Sequence, residues 1–324
     1  MKVKKIAVLT SGGDAPGMNA AIRAVVRTAV GMKMKVYGVK RGYNGLVNDY
    51  KGDVSLMDLR SVSDIIHRGG TVLYTARCLE FKTDEGMQKA VATCKKYGIE
   101  GIVVIGGDGS YRGAMDLSKL GIPCIGIPGT IDNDIGCSEY TIGFDTAMNT
   151  AVEMVDKLRD TAQSHERCTI VEVMGRHAGH LALQVGLAVG ATAMLIEEVP
   201  FNMSEVIETM KRSQSSDKKH FIIVVSEGVG RVAEIAAEIE AATGIESRYT
   251  VLGHVQRGGS PTLRDRLIAS RMGYRAVQLL SQGLGNRVLA VKDDQIVDYD
   301  IFTALQMTKE FDTELYKIAA EISI

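Results

Sequence analysis

The feature that most constrains this chain is an alternation. A short apolar run, a glycine-bearing polar loop and a stretch of helical spacing follow one another from end to end. Lys5-Ile-Ala-Val-Leu9 is the first such run, and it ends in Thr10-Ser-Gly-Gly-Asp-Ala-Pro-Gly-Met-Asn19. Further short strands are read at 35–39, 101–105, 124–127, 169–173, 194–196, 221–225 and 248–252. Unbroken apolar runs of this kind suit parallel strands covered on both faces. Helical spacing is expected at 19–32, 83–97, 144–162, 177–189, 203–212, 232–242 and 265–282, and at 110–120 with Ser110 as its cap. The segment 41–71 reads as irregular. The pattern predicts an α/β chain with mainly parallel sheets, and the strands outnumber what one sheet comfortably holds, so two domains are expected.

Bulk composition narrows the function. The chain has 324 residues, a formal net charge of −1 and 24% charged residues, which does not favour nucleic-acid or membrane-surface binding. No run is long enough to span a membrane and no signal peptide is legible, so a cytoplasmic protein is expected. The five cysteines (Cys78, Cys94, Cys124, Cys137 and Cys168) form no C-x-x-C pair and read as reduced thiols. His177 and His180 have helical proximity, but no third ligand accompanies them.

Five strand ends carry glycine together with a polar or charged residue: Ser11-Gly-Gly-Asp14, Gly106-Gly-Asp-Gly-Ser110, Pro128 to Asp134, Met174-Gly-Arg176 and Ser226-Glu-Gly228. Ligands of open α/β sheets sit beyond the carboxyl ends of the strands. Taken alone, Pro128-Gly-Thr-Ile-Asp-Asn-Asp134 reads equally as a turn and as a site. Five such loops are harder to explain as turns. Together they suit phosphoryl transfer, with glycine backbones and helix N-termini for phosphate, Asp108 for Mg²⁺, Asp132 for a hydroxyl proton and arginines as clamps. Both G-x-x-x-x-G-K-[ST] and G-x-G-x-x-G are absent, which argues against a P-loop enzyme and a standard dinucleotide dehydrogenase. Arg23 and Arg27, four apart on one helix, read first as a solvated face.

Thr10 to Ala20, Ile105-Gly-Gly-Asp-Gly-Ser110, Pro128 to Asp134, Met174-Gly-Arg176 and Gly253-His-Val-Gln-Arg-Gly-Gly-Ser-Pro261 resemble the bacterial ATP-dependent 6-phosphofructokinases, in family order and over essentially the whole chain. The resemblance implies two Rossmann-like three-layer α/β/α domains with the active site in the cleft between them. It divides the chain into 1–138 plus 252–305 for ATP and 139–251 plus 306–324 for fructose 6-phosphate. It implies transfer of the ATP γ-phosphoryl group to the sugar 1-hydroxyl, with Asp132 as base beside Thr130 and Arg176. ATP would meet Gly12, Arg77, Cys78, Gly107, Asp108, Gly109 and Ser110, with Asp108 serving Mg²⁺. The sugar phosphate would meet Thr130, Ile131, Asp132, Met174, Gly175, Arg176, Glu227, His254 and Arg257. Arg167 and Arg248 would reach it from a neighbouring subunit of a homotetramer.

Gly109 and Gly129 would leave room for a nucleotide where pyrophosphate-dependent relatives carry an Asp and a Lys, which favours ATP. An effector site for ADP or phosphoenolpyruvate is matched by Arg23, Arg27, Arg159, Gly190, Lys218, Lys219 and His220. The chain departs from it at Leu59, Thr192 and Ser216, so a weak or altered ADP response is expected. The role of Asp134 stays open. The weighed alternatives are a pyrophosphate-dependent enzyme, a tagatose 6-phosphate kinase, and a non-catalytic sugar-phosphate sensor on the same fold.

Overall fold

The computed structural model describes residues 3–323. In chain order the elements are β1 (Lys5–Thr10), α1 (Met18–Gly31), β2 (Lys35–Val39), α2 (Tyr43–Asn48), β3 (Val54–Met57), α3 (Asp84–Tyr97), β4 (Gly101–Gly106), α4 (Asp108–Lys119) and β5 (Cys124–Pro128). Next come α5 (Phe144–Ser164), β6 (Cys168–Val173), α6 (His180–Ala188), β7 (Ala193–Leu195), α7 (Met203–Ser215), β8 (Phe221–Ser226), α8 (Val232–Thr243) and β9 (Ser247–Val251). The chain ends with α9 (Leu263–Ser281), β10 (Arg287–Lys292), β11 (Gln295–Asp300), α10 (Ile301–Ala304) and α11 (Thr313–Ile322). The chain divides into two compact units: Met1–Ile131, Ile135–Thr146 and Arg257–Lys309 form the first, and Asp132–Asp134, Ala147–Gln256 and Glu310–Ile324 the second.

The first unit is built on a seven-stranded sheet in the order β11-β10-β5-β4-β1-β2-β3. Its five central strands are parallel, and β3 and β11 close the two edges antiparallel. The central strands are mainly apolar because helices cover both faces, and β4 and β5 are wholly buried. The chain leaves β1 toward β2 and leaves β4 the opposite way, toward β5. The carboxyl ends of β1 and β4 therefore flank a topological switch point, where such sheets bind ligands. Asp265 ties this unit together: its buried carboxylate accepts from Tyr140 Oη at 2.7 Å, Gly143 N at 2.7 Å and Thr146 N at 2.9 Å. Those backbone donors open α5, so a carboxylate from α9 fills the role of a helix cap.

The second unit carries a four-stranded parallel sheet, β7-β8-β6-β9. Cys168, Ile170, Phe221, Ile223 and Val225 of its strands pack with Ile235 and Ile239 of α8 in one apolar core. The exit of β6 runs toward β7 and the exit of β8 runs back across it toward β9, so the carboxyl ends of β6 and β8 flank this sheet's switch point.

Three local expectations change. The segment 41–71 contains α2 and β3, both too short to leave a periodic signal. Ser110 lies inside the first turn of α4 rather than at its cap, which is Gly107. The helix expected from His177 begins only at His180, because Gly175 and Arg176 turn the chain through left-handed conformations first. His177 therefore lies on a loop and meets Glu197 at 3.1 Å, while the His180 ring stacks with Phe311 at 6.2 Å. Among the described residues no group of three or more His, Cys, Asp or Glu could hold a metal, and no helix is long and apolar enough to cross a membrane. All five cysteines are free thiols. Burial pushes Cys94, Cys124 and Cys168 up to about 12, which leaves them unreactive.

Candidate functional site

In the first unit the loops after β1 and β4 are drawn together by glycine. Ser11 N donates to Ile105 O at 2.9 Å. A Cβ at Gly106 would lie 2.3 Å from Ser11 O, so no other residue fits there. Gly12 has a φ of 89°, in the region glycine adopts freely. The N-terminus of α4 follows at once, with Gly107 as an N-cap that makes no side-chain bond to it. A helix start of this kind offers backbone N–H groups and the positive end of the helix dipole to an anion. Asp108 opens α4 and pairs with Arg112 one turn on, at 3.1 Å.

The segment that carries Arg77 and Cys78 is fastened beside these loops. Asn19 Nδ2 donates to Arg68 O and Gly69 O at 3.1 Å each, and Asn19 Oδ1 accepts from Val72 N at 2.8 Å. Thr75 Oγ1 donates to Gly12 O at 2.7 Å. Arg77 is exposed and Cys78 half-buried. Thr130 enters the same neighbourhood: the Cβ direction of Gly107 points at Thr130 Cβ, 3.9 Å away, and Thr141 Oγ1 donates to Thr130 O at 2.7 Å. Ile131 is fully buried behind it. Arg257 also belongs here, with Nη1 3.1 Å from Asp14 O and its guanidinium lying against Gly13.

The two glycines read as leaving room for a nucleotide part company. A Cβ at Gly109 would meet nothing within 4 Å. A Cβ at Gly129 would meet Ile105 Cγ2 at 3.0 Å and Met18 Cε at 3.3 Å. The Cβ direction of Gly129 is thus crowded by packing beneath the loop, whereas that of Gly109 borders open space.

The second unit holds Asp132 and Arg176. Asp132 is 2% exposed, and Arg176 Nε lies 3.6 Å from its Oδ2. Arg176 presents an exposed side chain from a strained backbone: its φ is 54° and that of Gly175 is 143°. A Cβ at Gly175 would approach Ala178 O to 2.4 Å. Side-chain acceptors hold this turn. Glu227 Oε2 accepts from Gly175 N at 3.2 Å and Arg176 N at 2.8 Å. Gln256 Oε1 accepts from Met174 N at 2.8 Å, and Glu198 Oε1 from Gly179 N at 2.7 Å. The half-buried Glu172 is raised above the usual carboxylate range by desolvation first and the charge of Glu227 second. Asn133, buried with a φ of 51°, completes the bend after Asp132, and Asp134 faces outward.

Arg167 and Arg248 are gathered by a residue that local spacing does not reveal. The Glu246 carboxylate accepts from Arg167 Nε at 2.6 Å and also pairs with Arg248. Arg167 first, with Arg248, holds the Glu246 carboxyl below the usual range. Glu246 stands only two residues before Arg248, but 79 from Arg167. His254 is exposed on the short turn after β9.

Of the residues matched to an effector site, Arg159, Lys218 and His220 come together. Burial lowers both Lys218 and His220, and the charge of Arg159 lowers them further. Arg159 donates to Val189 O, next to Gly190. Lys219 turns away to Glu166, at 3.2 Å. Lys218 and Ser216 line a cavity of about 190 Å³ with Arg212, a cation the sequence reading did not single out. Arg23 is half-buried and Arg27 exposed on α1, and Thr192 is buried at the head of β7.

The comparisons with known proteins agree with one another. The phosphofructokinase family model matches residues 5–280. An ATP-dependent 6-phosphofructokinase of Bacillus licheniformis is 55% identical over 322 residues, covering 99% of this chain and all of the relative. The enzyme of that name from Bacillus cereus is 56% identical over the same length. Among solved structures, phosphofructokinase from Saccharomyces cerevisiae superposes with a TM-score of 0.87 at 34% identity, covering 99% of this chain and 48% of that chain, so this chain spans about half of the yeast one. A pyrophosphate-dependent phosphofructokinase from Marinobacter aquaeolei shares the fold at a TM-score of 0.83 and 24% identity, covering 96% of this chain and 86% of that one. With its glycine loops, its Arg176–Asp132 pair and these likenesses along its length, the chain belongs to the phosphofructokinase family.

Proposed function

We propose that this chain transfers the γ-phosphoryl group of ATP to the 1-hydroxyl of fructose 6-phosphate, giving fructose 1,6-bisphosphate and ADP, the committed step of glycolysis. The observation that carries the reading is the Arg176–Asp132 pair, a guanidinium on a clamped turn 3.6 Å from a buried carboxylate. The name shared by relatives 55–56% identical over their whole length supports the choice of donor and acceptor. So does the open space at Gly109, through which a nucleotide can pass.

Phosphoryl transfer asks a protein for positioning and charge neutralisation more than for covalent chemistry. Asp132 accepts the proton of the sugar 1-hydroxyl as that oxygen bonds to the γ-phosphorus. The bond from phosphorus to the bridging oxygen breaks in line, and its electron pair leaves with ADP. Arg176 offsets charge on the transferred group, and Thr130 hydrogen-bonds that group. Gly107, Gly109 and Ser110 at the start of α4 hold ATP together with Gly12, Arg77 and Cys78. Ile131, Arg167, Met174, Gly175, Arg176, Glu227, Arg248, His254 and Arg257 hold the sugar phosphate. Mg²⁺ supplies charge neutralisation at the nucleotide phosphates when bound. Asp108 suits it, since Mg²⁺ takes one or two carboxylates beside phosphates and water and this carboxylate is nearly half exposed.

In the same reading the chain works in the cytoplasm as a homotetramer, with Arg167 and Arg248 serving a neighbouring subunit. Arg23, Arg27, Arg159, Gly190, Lys218, Lys219 and His220 bind an anionic effector. Thr192 and Ser216 alter its response to ADP, because they stand where the family pattern has a metal-binding carboxylate and a cation. Initial rates test the whole: ATP with fructose 6-phosphate should outpace both pyrophosphate as donor and tagatose 6-phosphate as acceptor. A faster rate with either alternative would replace this reading with that one, and no turnover with any pair would favour a sensor.

A further inference from the structure

Gln256 is a buried amide in an expensive position. It is fully buried, and its Oε1 accepts from Met174 N at 2.8 Å, 82 residues away in sequence. Its Nε2 meets no acceptor among the described residues. A buried amide with one end unmatched is a net cost to folding, and an apolar side chain of similar volume would avoid it. Conflicts of this kind collect where function rather than stability selects the residue.

The bond it makes has a specific consequence. Met174 is the last residue before Gly175 and Arg176, whose positive φ values strain the turn. Glu227 fixes the N–H groups of Gly175 and Arg176, and Gln256 fixes the one immediately before them. Three consecutive backbone donors are therefore held by two side chains, one after β8 and the other after β9. Glu227 bonds inside the turn, and at the entry its own N–H donates to Val173 O at 3.0 Å, on the carbonyl side of the peptide whose N–H belongs to Met174. Gln256 fixes the N–H side of that peptide, and with it the direction in which Arg176 projects toward Asp132.

We infer that Gln256 is a positioning residue for Arg176: it sets the aim of the guanidinium through the Met174 amide without touching the reacting atoms. This rests on the function proposed above only for its kinetic readout. The test compares Gln256→Met, which removes the acceptor, with Gln256→Glu, which keeps an acceptor oxygen at the same reach. Losing one buried acceptor should raise the KM for fructose 6-phosphate roughly tenfold or more and leave the KM for ATP within about twofold. Gln256→Glu should recover most of the difference.

Amide hydrogen exchange on the substrate-free protein provides a readout independent of activity. Exchange at Met174, Gly175 and Arg176 should quicken in Gln256→Met and return toward the parent in Gln256→Glu. An unchanged KM for the sugar phosphate in Gln256→Met, or equal losses for both substrates, would overturn the inference. So would failure of the glutamate variant to rescue. If Gln256→Met does not fold, the same exchange and KM values in Gln256→Glu decide: parent-like values uphold a role for the acceptor, and values shifted as far as predicted for its loss reject it. If the parent protein shows no turnover with ATP and fructose 6-phosphate, the proposed function fails while the exchange result still decides the role of Gln256.

Discussion

The loop after β4 and the turn after β6 follow glycine-bearing strand ends of similar composition, yet they use their backbone donors in opposite ways. At Gly107 no side chain caps α4, so the helix start is left for a ligand. At Gly175 and Arg176 the N–H groups are taken by Glu227, with Gln256 on the residue before, and what the turn offers outward is a guanidinium. One region offers an anion its backbone and needs few side chains. The other spends side chains on holding its backbone in place and binds with a charge. The difference matches two tasks. A nucleotide's phosphates can be cradled by N–H groups, whereas charge developing in the transition state needs a pre-aimed donor.

Arg176→Ala would probe the contrast hardest. Removal of one such preorganised donor typically costs about 10²–10³ in kcat, and the loss should appear at saturating ATP; a fall of less than a few-fold would show that Arg176 merely pairs with Asp132. Gly175→Ala ranks next. Strain at a position with φ of 143° and a carbonyl 2.4 Å from the new Cβ should cost about 1–3 kcal/mol in denaturant unfolding, and the KM for the sugar phosphate should rise more than that for ATP. Equal changes in both would mean the two regions are not separately specialised.

A smaller pair of effects has opposite signs. Gly129→Ala pushes on Ile105 and Met18 and should destabilise by about 1 kcal/mol or more. Gly109→Ala projects into open space within a helix and should stabilise by about 0.5–1 kcal/mol. Gly109→Asp should fold normally but weaken ATP, and unchanged ATP kinetics would remove Gly109 from donor selection.

The smallest effect is one of pH. Burial and Arg159 hold His220 and Lys218 below their ordinary values, so folding favours their neutral forms. For His220 that contribution is present above the ordinary histidine value of 6.5 and is lost as pH falls through its lowered one. A bound anion favours the charged forms and must take up protons. Sulfate, whose charge is constant across this range, should therefore bind a few-fold more tightly at pH 6 than at pH 8 by calorimetry. Tighter binding at the higher pH would contradict the cluster.

How much of this could be read in advance depended on the range of the contacts. Most parallel strands left a local run, though β10 was not singled out, so β1, β4 and β6 were legible with their glycine loops. The short α2 and β3 were not, because six and four residues leave too little pattern to separate from a loop. Asp132 and Arg176 stood out as a charge following a strand end. Gln256 and Glu246 did not stand out, since their roles arise from bonds to residues 82 and 79 positions away. Gly129 shows the same limit. It looked like room for a ligand because its neighbours in space, Ile105 and Met18, are far from it in sequence.

The central claim is that Asp132 takes the proton of the sugar hydroxyl while the clamped Arg176 steadies the transferred phosphoryl group. Asp132→Asn tests it most directly, through single-turnover formation of ADP at saturating substrates alongside equilibrium binding of fructose 6-phosphate. The account predicts a rate about 10²–10⁴ lower with sugar-phosphate affinity close to that of the parent. A near-parental rate in that variant would contradict it.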